Sequence, residues 1–179
     1  MIHSTVASPP EKGRAIALFA SARRDGNTGR LIDSIAVSSG IDVIDLAEKD
    51  ITPYDYNHCN LYDDFVPLMR GLLDYEKLIF VTPIYWYGPS AQMKAFIDRT
   101  SDFLDIDSLK DIGRKLRGKT AYIVCTSSSE DADCWFLGAF KSTFDYLGMN
   151  YGGHLHANCA GGYDPEKCEQ DVREFVSLI

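Results

Sequence analysis

The sequence predicts a doubly wound α/β fold, with five parallel strands in the order 2-1-3-4-5 and helices on both faces of the sheet. Two observations lead to this prediction. Short apolar runs that end at polar loops are typical of strands that helices cover on both sides. Between these runs, apolar residues recur every three or four positions, as on one face of a helix. The two patterns alternate about five times along the chain.

Five segments carry the strand pattern. The first, third and fourth of them are apolar almost throughout, and the fifth has the weakest pattern. In chain order, the predicted strands are 14–20, 41–46, 77–83, 119–126 and 150–159.

Five segments carry the helical pattern. In chain order, they are 28–38, 63–75, 90–103, 133–147 and 165–178. Ser90 is the expected N-cap of the third helix, and Pro165 fits the first turn of the last one. The segment 48–62 is predicted to be a long loop, and the charged segment 104–118 is expected to cover an edge of the sheet.

The length and charge of the chain limit its organisation and its partners. A chain of 179 residues suits one domain, and we expect a loose tail over 1–13 and a single domain over 14–179. The net charge of −8 argues against nucleic acid or an acidic membrane surface as a partner. No secretory signal is recognised, and no apolar run approaches the roughly 20 residues of a spanning helix. A soluble cytoplasmic protein is therefore expected.

The cysteines and histidines predict neither disulfides nor a metal site. Five cysteines without a Cys-x-x-Cys motif suggest reduced thiols, with Cys125 in the core. His154 and His156 share one face of the fifth predicted strand, but no third ligand has the required spacing. A structural or surface role is therefore expected for both.

The loop "SARRDGNTG" at 21–29 follows the first predicted strand. Ligands of such sheets bind where the winding reverses, which for this strand order is between the first and third strands. The loop matches neither the Walker A pattern nor G-x-G-x-x-G. Its backbone leads into a helix N-terminus, with Asn27 or Thr28 as cap, and one of two arginines offers a fork for an anion. These features favour a phosphate monoester, and a solvated turn with an ordinary cap is the alternative.

The loop "IYWYGPSAQ" at 84–92 follows the third predicted strand. Its three adjacent aromatic residues can hold a planar ring by stacking, and Gly88 allows the backbone to approach that ring. The alternative is core packing or a subunit interface, and we expect one aromatic residue at the ring and the others at a partner subunit. A phosphate beside a flat ring describes a mononucleotide such as FMN.

The stretches "SARRDGNTGRL" (21–31) and "TPIYWYGPSAQMKAFIDR" (82–99) resemble the NADPH-dependent FMN reductase-like flavoproteins of the flavodoxin-like superfamily. The resemblance implies three groups of FMN contacts. The phosphate contacts are Ser21, Arg23, Asn27 and Thr28. The contacts of the isoalloxazine ring are Pro83, Ile84, Tyr85, Trp86 and Gly88. The loop after the fourth strand adds Ser127 and Ser128.

Two departures from the family pattern are visible. Ala20 stands where the family loop begins with glycine. Related iron–sulfur flavoproteins carry a cysteine cluster before the second helix, where this chain has only Cys59. One thiol cannot hold a cluster that needs about four ligands. No metal is therefore expected.

The resemblance implies an FMN-dependent NAD(P)H oxidoreductase. Such an enzyme passes hydride from NADPH or NADH to FMN and on to a quinone, a flavin or a similar small acceptor. Because the flavin carries the chemistry, no catalytic side chain is predicted. A flavodoxin-type electron carrier and a sensory protein with an empty pocket are the alternatives. The resemblance also suggests a homodimer or homotetramer.

Overall fold

The computed structural model describes residues 14–179, so the predicted tail over 1–13 lies outside it. Five parallel strands form one sheet in the order β2-β1-β3-β4-β5, which confirms the predicted flavodoxin-like topology. The strands are β1 (Ala15–Phe19), β2 (Asp42–Asp45), β3 (Lys77–Pro83), β4 (Thr120–Ser127) and β5 (Asn150–Asn158).

Seven α-helices accompany the sheet in this part of the chain. They are α1 (Asn27–Ser39), α2 (Phe65–Leu72), α3 (Ala91–Asp98), α4 (Asp102–Asp105), α5 (Lys110–Arg114), α6 (Cys134–Tyr146) and α7 (Pro165–Val176). Short 3-10 turns lie at Leu46–Glu48, Arg99–Ser101 and Asp107–Leu109. None of the helices between residues 14 and 179 has the length and apolar character that crossing a bilayer requires.

The two faces of the sheet bury separate apolar clusters, because successive strand residues point to opposite sides. Ala17 and Phe19 of β1 pack with α1 and α7 on one face. Ile16 and Leu18 of the same strand pack with helices α2 to α6 on the other face. Both faces of β1, β3 and most of β4 are therefore buried, as their apolar sequences predict.

Two predicted helices were too long, and the role predicted for one segment was incomplete. The helix predicted over 63–75 covers only Phe65–Leu72, and the one over 90–103 gives way to a 3-10 turn after Asp98. The segment 104–118 does more than cover an edge, because Leu109, Ile112 and Leu116 are buried in the core. Charged residues stand between these apolar positions, so the composition of the segment suggests an exposed surface although its spacing is helical.

Candidate functional site

The loops after β1 and β3 meet at the carboxyl edge of the sheet. The Ser90 hydroxyl donates to the Ala20 carbonyl at 2.9 Å, and the Ser90 N–H donates to the Thr82 hydroxyl oxygen at 2.9 Å. Ser90 also caps α3, as predicted, by accepting from the Met93 N–H. One buried serine therefore joins the ends of both strands to the start of a helix.

Helix α1 begins without a side-chain cap, contrary to the expectation for Asn27 and Thr28. Its N-cap is Gly26, which makes no side-chain hydrogen bond to the first turn. The Asn27 side-chain oxygen instead accepts from the Tyr163 N–H at 3.0 Å. The N–H groups of the first turn thus have no side-chain acceptor, and a 13-residue helix favours an anion at this end.

The hydroxyl of Thr28 is used inside the protein. It hydrogen-bonds the Thr126 hydroxyl at 2.7 Å, and both threonines are buried. This pair joins the first turn of α1 to the end of β4. The Ile84 N–H donates to the Thr126 carbonyl at 2.9 Å. The loop after β3 is therefore also attached to the end of β4. The elements that carry the predicted phosphate and ring contacts are therefore rigidly connected.

The two arginines of the first loop differ in their partners. Arg24 forms an ion pair with Asp33 and donates to the Gly29 carbonyl, and its guanidinium lies over the Phe19 ring. The charge and hydrogen bond of Asp33 raise the pKa of Arg24 above its ordinary value. Arg23 is exposed and makes no ion pair with any residue from 14 to 179. Arg23 is therefore the arginine that remains available to a ligand.

The aromatic residues after β3 form a tight hairpin turn. Tyr85 and Gly88 exchange two backbone hydrogen bonds, at 2.8 and 3.0 Å. Trp86 and Tyr87 between them have φ values of 49° and 64°, which side-chain-bearing residues rarely adopt. Trp86 is 95% exposed and Tyr87 67% exposed, so neither serves core packing. Strained, exposed aromatic residues of this kind cluster at binding sites.

The backbone N–H groups of this hairpin divide into two sets. Those of Tyr85 and Gly88 are consumed in the turn. Those of Trp86 and Tyr87 have no partner among residues 14–179. A ligand beside the hairpin can therefore find backbone donors only at its tip.

Ser127 is the last residue of β4, and Ser128 is the first residue of the loop that follows. The two serines differ in their surroundings. The Ser127 Oγ lies 2.8 Å from His156 Nε2 and accepts from the Ser129 N–H. Ser128 is exposed. The sequence did not reveal the link between Ser127 and His156, although the alternation of His154 and His156 had placed both on one face of β5.

The long loop at 49–64 is held by a buried ionic cluster around Arg99. The Arg99 guanidinium pairs with Asp63 and Asp102, and it donates to the Thr52 and Asn60 carbonyls. His58, with φ at 52°, lies with its Nδ1 3.0 Å from the Asp102 carboxylate. Arg99 is the last residue of the motif at 82–99, and the motif itself gives no indication of this role.

The cysteines and the metal-ligating residues support no metal centre in the described chain. No group of three or more His, Cys, Asp or Glu residues between 14 and 179 is arranged to hold a metal ion. The five cysteines are free, and Cys125 is buried within β4. Burial raises the pKa of the Cys125 thiol to about 12.

Comparison with known proteins agrees with this geometry. The family model described as NADPH-dependent FMN reductase matches residues 14–160. YwqN of Bacillus subtilis (strain 168), named as an NAD(P)H-dependent FMN-containing oxidoreductase, is 28% identical over 141 residues, covering 74% of this chain and 78% of the relative. An FMN-dependent NADH:quinone oxidoreductase of Pelagibacter ubique (strain HTCC1062) is 33% identical over 117 residues, covering 60% and 58%.

A solved structure supports the fold independently. The Trp repressor binding protein of Bacillus subtilis superposes with a TM-score of 0.69 at 24% identity, covering 92% of this chain and 96% of that one. At this level of identity, the similarity supports the flavodoxin-like topology and nothing finer.

Proposed function

Because the chain belongs to the NADPH-dependent FMN reductase family, we propose that it uses NADPH or NADH to reduce a small organic acceptor of the quinone or flavin class. FMN, when bound, supplies a ring that accepts and returns a hydride, while the protein supplies binding and orientation. The observation that carries the proposal is the meeting of an uncapped helix start and an exposed aromatic hairpin at one edge of the sheet.

The first-loop residues fit the phosphate of FMN. Four residues are assigned to it: Ser21, Arg23, Asn27 and Thr28, the last through its backbone N–H, since its hydroxyl is bonded to Thr126. The Asn27 amide oxygen is occupied by the Tyr163 N–H, so its NH₂ group is the part left to donate. The exposed guanidinium of Arg23 provides the counter-charge. Together with the N–H groups at the start of α1, these groups suit a terminal monoester.

The hairpin residues fit a flat ring. Five residues are assigned to the isoalloxazine: Pro83, Ile84, Tyr85, Trp86 and Gly88. The exposed side chains of Tyr85 and Trp86 leave an open surface, so a nicotinamide and then a second planar acceptor can approach in turn. Ser127 and Ser128 are assigned to the polar edge of the ring. The name of the Pelagibacter relative supports a quinone as the acceptor.

We also propose a homodimer or homotetramer. Trp86 and Tyr87 are large, apolar and exposed at the hairpin tip, as residues at subunit interfaces often are. In this arrangement, Tyr85 and Trp86 border the ring, and the tip of the hairpin, with Tyr87, also contacts a second copy of the chain. Light scattering on the purified protein tests the arrangement, and a monomeric mass contradicts it.

The phosphate assignment is tested with two arginine variants and two ligands. Arg23→Ala is expected to weaken FMN binding roughly 10- to 100-fold, the effect of losing a charge-assisted hydrogen bond. It should leave the binding of riboflavin, which has no phosphate, unchanged. Arg24→Ala is the matched control, because its guanidinium is already held by Asp33. Equal losses for FMN and riboflavin in Arg23→Ala would contradict the assignment.

The activity is tested by anaerobic mixing with NADPH and with NADH. We expect bleaching of the visible absorption of the bound flavin, and its recovery when a soluble quinone is added. If neither nucleotide bleaches the flavin, an electron-carrier role replaces the proposed reaction. If bleaching occurs but no quinone or flavin restores the colour, the proposed acceptor class is wrong.

A further inference from the structure

His156 and Ser127 form a hydrogen-bonded pair where β4 ends. His156 lies on β5 opposite Cys125, and its side chain reaches the Ser127 hydroxyl, with 2.8 Å between Nε2 and Oγ. The Ser127 carbonyl accepts from the Cys159 N–H at 2.7 Å. Ser127 is therefore bonded to the β5 side through both its backbone and its side chain.

The protonation state of His156 decides what the Ser127 hydroxyl can offer. A hydroxyl has one hydrogen and two lone pairs, and here one lone pair accepts from the Ser129 N–H. The neutral tautomer with its hydrogen on Nδ1 is favoured by the hydrogen bond between the imidazole and the Glu130 backbone, and in that tautomer the Ser127 hydrogen points to Nε2. When His156 is protonated, its Nε2–H donates to the second lone pair of Ser127 instead. The Ser127 hydrogen is then released and can be donated to another acceptor.

Two cavities that His156 lines bring titratable groups near it. The acids of these cavities are Glu130 and Asp131 of the loop after β4 and Asp164, Asp171 and Glu174 at α7. The cations are Arg30 of α1 and Lys167 of α7, and the other titratable groups are His154, Tyr163 and Cys168. Among these groups, Asp131 raises the pKa of the imidazole and His154 lowers it.

Burial and charge act on this imidazole in opposite directions. Burial lowers the pKa of His156, and the charge of Asp131 opposes that shift. His156 therefore changes charge below the ordinary pKa of histidine, which is about 6.5. The change falls within reach of an ordinary pH titration.

We propose that His156 is a positioning residue for the flavin site, which sets through its proton whether Ser127 accepts or donates a hydrogen bond at the polar edge of the ring. This inference rests on the proposed function. Protonated His156 makes Ser127 a donor toward a ring carbonyl, so flavin binds more tightly at low pH. The expected gain is about threefold to tenfold, the net effect of one hydrogen bond.

The first test follows the protein itself. In the full chain, the Ser129 amide resonance is expected to shift with pH at the same midpoint as the His156 imidazole, because the Ser127 hydroxyl joins the two. The shift should vanish in His156→Gln and in Ser127→Ala. It should persist in His154→Gln, which is the matched control. The Nδ1 of His154 hydrogen-bonds the Tyr151 hydroxyl and not the loop. A Ser129 titration that survives in His156→Gln would overturn the proposal.

The second test follows the ligand. Riboflavin is the probe, because the phosphate of FMN itself titrates near pH 6. Its dissociation constant is measured well below and well above the midpoint that the first test gives for His156. We expect tighter binding at the lower pH in the wild-type chain and in His154→Gln, and no such change in His156→Gln.

The outcomes separate the two proposals. If neither FMN nor riboflavin binds at any pH, the proposed function fails and the inference fails with it. If flavin binds with the same pH response in the wild-type chain and in His156→Gln, only the role of His156 is wrong. A loss of the response in His154→Gln as well would show a general effect of charge and would also contradict the role of His156.

Discussion

The buried side chain of Arg99 connects the 49–64 loop to α4. It is fully buried, and its guanidinium contacts two carboxylates and two backbone carbonyls of the 49–64 loop and α4. Burial alone would raise the pKa of Asp63. The hydrogen bonds from Arg99 and from backbone N–H groups outweigh this effect and hold the pKa below its ordinary value. A long loop without regular structure is thereby attached to the helices beneath it.

Removing this guanidinium leaves the buried carboxylates of Asp63 and Asp102 without their arginine, with only His58 still beside Asp102. We therefore expect Arg99→Leu to lower the free energy of unfolding by about 3 to 5 kcal/mol, as for broken buried ion pairs. Lys94→Gln is the control, because Lys94 pairs with Asp98 on the exposed face of α3. It should change stability by less than about 0.5 kcal/mol. Urea unfolding measures both, and equal effects would show that the Arg99 cluster does not stabilise the chain.

Individual roles at the site were only partly accessible from the sequence. The loop composition alone offered Arg23 and Arg24 as equivalents, although the family resemblance implied Arg23, and the ion pair of Arg24 with Asp33 of α1 now distinguishes them. It offered Asn27 and Thr28 as caps, but their side chains bond Tyr163 and Thr126, which lie far along the chain. Contacts between residues so distant in sequence leave no local pattern, so they could not be predicted.

At the scale of elements, the start of α1 depends on a close backbone approach. A Cβ built on Gly29 would lie 1.7 Å from the Arg24 carbonyl oxygen, so no larger residue fits without moving the loop. Gly29 is thus a structural requirement of the first loop, although the sequence motif names it only as part of a turn. The loop conformation that exposes the first-turn N–H groups exists because this position has no side chain.

Gly29→Ala is therefore expected to distort the loop, to weaken FMN binding by at least tenfold and to destabilise the chain. Gly138→Ala provides the contrast, because Gly138 lies inside α6 with no atom within 4 Å of the added Cβ. It should stabilise the chain by about 0.5 to 1 kcal/mol. Calorimetry and FMN titration of both variants test this, and unimpaired FMN binding in Gly29→Ala would refute it.

The hairpin at 85–88 shows a second kind of element. Its two central residues are aromatic, where glycine or asparagine is usual for such φ values. The sequence showed the aromatic residues but gave no indication of the turn, because its residues are not those that predict one. The two residues with strained backbone thus present their aromatic side chains to solvent.

At the scale of the whole molecule, the fold was predictable and its irregular segments were not. The strand order, the two covered faces, the cap at Ser90 and the place of Pro165 in the first turn of α7 follow from apolar periodicity and standard helix signals. The buried residues of 104–118 pack in one cluster with Phe103, a tertiary contact that periodicity does not report, and the end of α3 at Asp98 has no signal in the apolar pattern. The FMN contacts stay predictions drawn from the family resemblance.

Acid stability is a property of the whole molecule. Burial lowers the pKa of His154 and of His156, so the unfolded chain binds more protons than the folded chain as the pH falls through about 6.5. Stability should decrease in that range. A second decrease is expected below about pH 4, where Asp63, with its lowered pKa, loses its charge.

Urea unfolding across this pH range measures both decreases. In the double variant His154→Gln/His156→Gln, the first decrease should flatten and the second should remain. A first decrease of unchanged size in the double variant would assign it to other groups.

The burial of Cys125 provides a way to detect opening of the sheet in solution. Its thiol lies in the middle of β4 with no exposed surface, and its pKa of about 12 leaves almost no thiolate at neutral pH. Alkylating reagents attack the thiolate, so they reach this sulfur only after the centre of the sheet opens. Exposed Cys59 and Cys134 are accessible to the same reagent from the outset. Mass spectrometry of alkylated peptides can thus time rare openings of the sheet without any added label.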